Sequence, residues 1–195
     1  MLSRIRSLVM VVALVLVLPS CAAFQSLLAL GQVDFSLDRV HQVSLAGVPL
    51  DGVRGYGDVS ARDVLRLGLA LSDRRLPLEL TIDLRADNPA DNPEASLVAM
   101  DWTLFLEGRE TVSGGLTEAV RMVSGEATTV PVGARLDLLE FFDGGLEELV
   151  NLAASLAGVE GAPVNLRMEI LPTIETSLGP IRYPRPIVLG AGSDR

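Results

Sequence analysis

From Leu78 to Ala86 apolar and polar side chains alternate without a break. Leu78, Leu80, Ile82, Leu84 and Ala86 are separated by Glu79, Thr81, Asp83 and Arg85. Side chains of an extended chain point to opposite faces in turn, so this pattern is satisfied by a strand with one face buried and the other in water. Wound as a helix, the same residues would scatter their apolar members around the whole circumference. The period recurs along the chain. Val33, Phe35, Leu37, Val43 and Leu45 share a parity in a first strand near Val33–Leu45, and Met100, Trp102, Leu104 and Leu106 do so near Ala99–Glu107. Glu107-Gly108-Arg109 reads as a tight hairpin connection into Glu110–Ser113. Val130, Val132, Ala134 and Leu136 form a further strand, and Val164, Leu166, Met168 and Ile170 another. A turn at Ser177–Pro180 then leads to a last strand near Ile181–Val188. Pro131, Pro172 and Pro184 cannot donate to a ladder and mark edges or bulges.

Two segments break this rhythm. Ser60-Ala-Arg-Asp63 has the spacing of a capping box and opens a helix over Val64–Leu71. Asp143 is positioned to cap a second helix, with Leu146, Leu149, Val150, Ala153 and Leu156 on one face and Gly158 as its stop. Many strands with two amphipathic helices predict a mainly β fold. The expected architecture is a fibronectin/immunoglobulin-like β-sandwich with the helices at its ends or on one open face. His41 falls in a strand-like stretch and reads as a half-exposed structural histidine.

The N-terminus has a different character. Arg4 and Arg6 precede the uncharged apolar run Leu8–Leu18, which stops at Pro19-Ser20-Cys21. A basic start, an apolar stretch of about 7–15 residues and small residues at its end make a secretory signal. A membrane span would need about 20 apolar residues to cross ~30 Å of hydrocarbon. The only cysteine stands at the boundary, so the segment resembles a bacterial lipoprotein signal, cut before Cys21 with acyl chains carried on that residue. Ordinary secretion, with cleavage after Ala23 and an incidental cysteine, is the alternative. Residues 1–20 are thus read as signal peptide, 21–32 as tether, 33–188 as one domain and 189–195 as a tail. The 21-residue start apart, the chain is one domain's worth of sequence and long enough to bury a substantial core.

Composition removes several chemistries. All 16 basic residues are arginine, and there is one histidine and one cysteine. Without lysine there is no side-chain Schiff base and no phosphate-binding P-loop lysine. Cys21 has no partner for an internal disulfide, and His41 has no companion ligands for a zinc site. Asp87 and Asp91 are the one pair to weigh for calcium, and two carboxylates in a turn are ordinarily just solvated. No catalytic residue, metal or cofactor is expected, and an enzyme is not indicated. Against 25 carboxylates, the formal charge of −9 opposes binding to nucleic-acid phosphates and to anionic lipid headgroups.

The ordered motifs along the chain resemble a known family. The strand Leu78–Ala86 runs into Asn88-Pro89, then a second Asn92-Pro93, the strand around Trp102-Thr-Leu-Phe-Leu, Gly108-Arg109, Val112-Ser-Gly-Gly115 and Thr129-Val-Pro-Val132. This order is similar to the late embryogenesis abundant type 2 family, also called the water stress and hypersensitive response domain. The resemblance covers roughly Val33–Val188, and its structural marks here are Asn88, Pro89, Trp102, Gly108, Gly114 and Pro131. It implies a folded, fibronectin-like sandwich connected with desiccation and stress tolerance, often lipid-anchored in bacteria, with no catalytic residues to carry over. The second Asn-Pro and the two helices are departures from the family pattern. The implied partner is a membrane, reached through N-terminal acyl chains, with a lipid or an envelope protein as a further partner. Two other roles stay open, a carrier of lipid or another apolar ligand and a scaffold subunit of an envelope complex. Ala22 follows Cys21 where many inner-membrane lipoproteins carry aspartate, which by analogy favours the outer membrane, facing the periplasm.

Overall fold

A computed structural model describes residues 25–157 and 166–190. The fold is an antiparallel β-sandwich with short helices. After helix α1 (residues 25–32), the elements are β1 (Asp34–Leu45), β2 (Val48–Pro49), a 3-10 turn (Tyr56–Asp58), α2 (Ala61–Ser72), β3 (Pro77–Asp87), β4 (Ala95–Leu106), β5 (Arg109–Leu116) and β6 (Val120–Met122). They continue with β7 (Ala127–Asp137), α3 (Leu138–Phe141), α4 (Leu146–Leu156), β8 (Leu166–Ile174), β9 (Ile181–Arg182) and β10 (Ile187–Gly190). One sheet has the order β2-β1-β3-β7 and the other β10-β8-β4-β5, with β6 also on β4 and β9 also on β8. Both sheets curl, so that β5 comes beside β7 on one side and β10 beside β1 on the other.

The alternation read from the sequence is the alternation of burial. Leu78, Leu80, Ile82, Leu84 and Ala86 of β3 are buried against Met100, Trp102, Leu104 and Leu106 of β4, in one cluster with Val130, Val132, Ala134 and Leu136 of β7 and Leu166, Met168 and Ile170 of β8. Val164 and Gly158 lie outside the described residues. Strand β1 departs from strict alternation. Its pairing with β3 slips between Leu37 and Arg39 and again between His41 and Ser44, so Val40 faces the core while the parity of Leu37 and of Val43 is the same on either side. Gln42, with φ of 53°, lies within the second bulge.

The prolines sit where the missing donor does least harm. Pro131 lies on β7, an outer strand of its sheet. Pro172 lies on β8 between the residues that pair with β10 and those that pair with β9. Pro184 separates β9 from β10, which replace the single last strand expected there. Strand β10 also reaches into the segment expected as a tail, with Leu189 buried.

The helices gather at one end. Strands β1, β3 and β7 align Leu45, Leu78 and Leu136 at that end, and α2, α3 and α4 all lie in connections that leave or enter strands there. Ser60 caps α2 as its spacing predicts, accepting from the Asp63 N–H at 3.2 Å and donating to Asp63 Oδ2 at 2.6 Å. Asp143 does not cap α4. The helix begins after Gly145, whose N–H donates to Glu148 Oε2 at 3.1 Å, and no side chain caps the first-turn amides. Leu149, Val150, Ala153, Ala154 and Leu156 form the buried face of α4.

Candidate functional site

The opposite end of the sandwich joins the N-terminal segment to the body. Residues 25–32, the second part of the segment read as a tether, are helical, and Ala29 and Leu30 are buried in the domain. Helix α1 is held by the loop between β3 and β4. The backbone N–H of Asn88 donates to Glu126 O at 3.0 Å, and its carbonyl accepts from Gly125 N–H at 2.9 Å. Its side-chain amide donates to Met122 O at 2.9 Å and to Pro93 O at 3.1 Å. Pro89 ends strand pairing, and its carbonyl accepts from the Asn92 N–H at 3.1 Å.

The second Asn-Pro has a role of its own. Asn92 is 1% exposed, and its amide nitrogen donates both to Asn88 Oδ1 at 2.6 Å and to Ala29 O at 2.8 Å in α1. Asn88 therefore ties the crossover loop to β6, and Asn92 ties the same loop to α1. Asn92 Oδ1 is buried without a partner among the described residues. Cys21 lies outside the described residues, four positions before Gln25.

The four other positions on which the sequence resemblance rests are Trp102, Gly108, Gly114 and Pro131. Trp102 pairs across β4–β5 with Gly114. A Cβ at Gly114 would stand 2.4 Å from Trp102 Cζ2 and 2.7 Å from Cε2, so the indole lies directly on the glycine. Glu107 and Gly108, with φ of 49° and 74°, make the two-residue β4–β5 turn. Successive positive φ values give a turn whose twist matches that of a hairpin. Pro131 stands opposite Asp83 in the β3–β7 register.

Asp83 is the polar feature that alternation alone conceals. Its position is on the outer face of β3, yet the residue is only 5% exposed. Arg39 Nε donates to its Oδ2 at 3.0 Å, and His41 Nε2 lies 3.2 Å from its Oδ1. Burial alone would raise the Asp83 pKa, but the contacts with Arg39 and His41 and their charges outweigh it and hold the carboxyl below its ordinary value. Arg39 and His41 bracket Val40 between the two β1 bulges, so Asp83 fastens the segment that the bulges turn over. His41 is half-exposed, as the sequence predicts. Asp87, weighed above for calcium, accepts instead from Arg85 Nε and Nη2 at 2.7 and 2.8 Å. That hydrogen bonding from Arg85 lowers its pKa. Among the described residues no three His, Cys, Asp or Glu side chains gather as metal ligands.

Open depressions lined by described residues lie on the outside of the sandwich. One lies over Thr81 and Gly133, one beside Arg75 and Glu140, and one beside Asp101 and Arg182.

The class these features define is an antiparallel, two-sheet β-sandwich closed at one end by helices and joined at the other to a docked N-terminal helix. No family model matches the chain, and no curated protein matches it. Solved structures do. A protein from Archaeoglobus fulgidus is 16% identical, with 78% of this chain and 92% of that one covered and a TM-score of 0.37. A candidate late embryogenesis abundant protein is 12% identical, with 98% and 91% covered and a TM-score of 0.36. A candidate ApaA protein from Bordetella pertussis is 14% identical, with 83% and 97% covered and a TM-score of 0.33.

Proposed function

We propose that the chain is a non-catalytic lipoprotein of the bacterial cell envelope, of the late embryogenesis abundant type 2 kind, that contributes to tolerance of drying and osmotic shock. The observation that carries this reading is the junction between α1 and the Asn88–Asn92 loop. Four residue steps separate Cys21 from Gln25, the first described residue of α1, and an extended chain of that length reaches at most ~14 Å. A domain acylated at Cys21 is therefore held close to its membrane with the Asn-Pro end down. Dual or triple acylation binds essentially permanently, since each buried CH₂ contributes ~0.8 kcal/mol. Further support comes from the family marks, which fall at a crossover (Asn88, Pro89), a hairpin turn (Gly108), a ring-on-glycine contact (Trp102, Gly114) and a sheet edge (Pro131). The membrane is the partner, the outer membrane facing the periplasm is the location, and nucleic acid is not a partner of so acidic a chain.

Loss of the gene is expected to impair recovery from drying while leaving growth in rich medium nearly unchanged. Wild type should restore recovery and Cys21→Ser should not, and the variant should leave the membrane fraction or remain unprocessed. A deletion strain that survives drying as well as its parent refutes the stress role. Equal membrane retention and the same mature N-terminus for both forms refute the anchor.

A further inference from the structure

Helix α2 buries less of itself than its composition would allow. Leu67 is its only fully buried residue, whereas Leu65 is 66% and Leu69 is 60% exposed, a level that only Leu178 shares among the large hydrophobic residues described. They stand at i and i+4, one turn apart on the outward face. Arg62 and Arg66 lie beside them on the same face at helical spacing.

The charges around this strip are the second observation. In this acidic chain six of the seven arginines on the described strands have carboxylate partners, Arg39, Arg85, Arg121, Arg135, Arg167 and Arg182, and the seventh, Arg109, donates to Phe141 O. Around α2 the balance reverses. Arg54, Arg62, Arg74 and Arg75 have no carboxylate within 4.0 Å among the described residues, and Arg66 reaches Asp63 only at 4.0 Å. Two acids of the same segment are turned to local duty, while Asp73 at the helix C-cap stays exposed. Asp58 accepts from the Arg54 backbone N–H, and Asp63 accepts from Ser60. Against the acidity of the whole chain, Arg62 and Arg66 thus stand beside Leu65 and Leu69 with no carboxylate among the described residues nearer than Asp63 at 4.0 Å.

We propose that α2 is a contact for an anionic lipid surface, with Leu65 and Leu69 entering the headgroup boundary and Arg62 and Arg66 meeting lipid phosphates. A narrow apolar strip edged with arginine is what an interfacial helix presents. A protein partner would need a packed apolar centre within roughly 800 Å² on each side, and two leucines on a convex surface do not supply one. A second copy docking through the same face would set arginine against arginine. The contact rests on α2 alone and does not depend on acylation of Cys21. Strand β3 separates α2 from the Asn-Pro end by 11 residues, about 35 Å at ~3.3 Å per residue, so α2 addresses a lipid surface other than the patch beneath α1.

The test uses the full chain immobilised on beads through a C-terminal tag and exposed to fluorescent vesicles. One population is pure phosphatidylcholine, and the other contains about one third phosphatidylglycerol. Capture of neutral vesicles reports the N-terminal segment, and the ratio of anionic to neutral capture reports α2. Wild type should show a ratio of at least about tenfold at low salt, because each arginine near an anionic surface contributes several-fold, and the ratio should collapse at high salt. Leu65→Gln/Leu69→Gln and Arg62→Gln/Arg66→Gln should each bring it near one while leaving thermal unfolding nearly unchanged. A wild-type ratio near one overturns the proposal and leaves a protein or a second copy as the occupant. A high ratio that both double variants retain overturns it equally.

Discussion

Gly114→Ala isolates one contact and has a built-in control. Intrinsically the change should help, since alanine is better than glycine in a strand by roughly 0.5–1 kcal/mol. Here the added methyl would begin 2.4 Å from Trp102 Cζ2, about 1 Å inside ordinary van der Waals contact. The indole is buried beside Met100 and Leu104, so it moves only by disturbing the sheet interior, and overpacking of this kind costs about 1–3 kcal/mol. At roughly 2–4 °C per kcal/mol for a domain of this size, Tm should fall by several degrees. Gly115→Ala is the control, because its Cβ would meet only Asp101 Oδ1 at 3.6 Å and Met100 O at 3.8 Å. It should be neutral or slightly stabilising. Trp102 is the only tryptophan, so its emission reports the same event, shifting to the red in Gly114→Ala and staying fixed in Gly115→Ala. Combining Gly114→Ala with Trp102→Phe should recover part of the loss as a coupling of about 1 kcal/mol. Equal stability of the two alanine variants with unchanged emission would refute the ring-on-glycine contact.

The sandwich register predicts that Leu80→Ala costs about 2–5 kcal/mol in denaturant unfolding, from lost burial and a cavity. Glu79→Ala loses only the exposed pair with Arg135 and should cost under about 1 kcal/mol; similar losses would show the faces misassigned. Asp83 gives an acid signature. Its folded pKa lies below the unfolded value, so its contribution is fully present above the ordinary carboxylate range near ~4 and is lost as pH falls through the folded value. Asp83→Asn should cost about 1–2 kcal/mol at neutral pH and should flatten the fall of stability in acid. An unchanged acid profile would remove Asp83 from that account.

What could be read from the sequence followed from how local its cause is. The faces of β3, β4 and β7 are legible because alternation over many residues has one physical solution. The Glu107-Gly108 hairpin and the Ser60 cap are legible because three or four neighbouring residues decide them. The β1 bulges are not legible, since two slips restore the starting parity and hide between Leu37 and Val43. Asp83 is hidden for a related reason. Its place in the alternation says solvent, while its burial depends on Arg39 and His41, more than 40 positions away. The docking of α1 was equally remote, resting on Asn92, 63 residues from Ala29. A single Asn-Pro announces a turn. Nothing local says that the second one holds a helix.

The same long-range contacts give the molecule two unlike ends. Chain direction places the β3–β4 crossover beside the start of β1, where the Asn88–Asn92 loop can grip α1. The connections from β2 to β3 and from β7 to β8 emerge at the far end, which is where α2, α3 and α4 accumulate. α4 spends its apolar face on the core, with five buried residues, whereas α2 buries one fully and turns Leu65 and Leu69 outward. If α2 served only to close the sandwich, polar residues at 65 and 69 would serve as well and would remove an exposed apolar strip. A helix that closes the end with Leu67 and leaves two leucines beside Arg62 and Arg66 has one face for folding and one for contact. The two functions separate cleanly by substitution: Leu67→Ala should lower stability by about 2–5 kcal/mol, and Leu65→Gln with Leu69→Gln should change only what the far end binds.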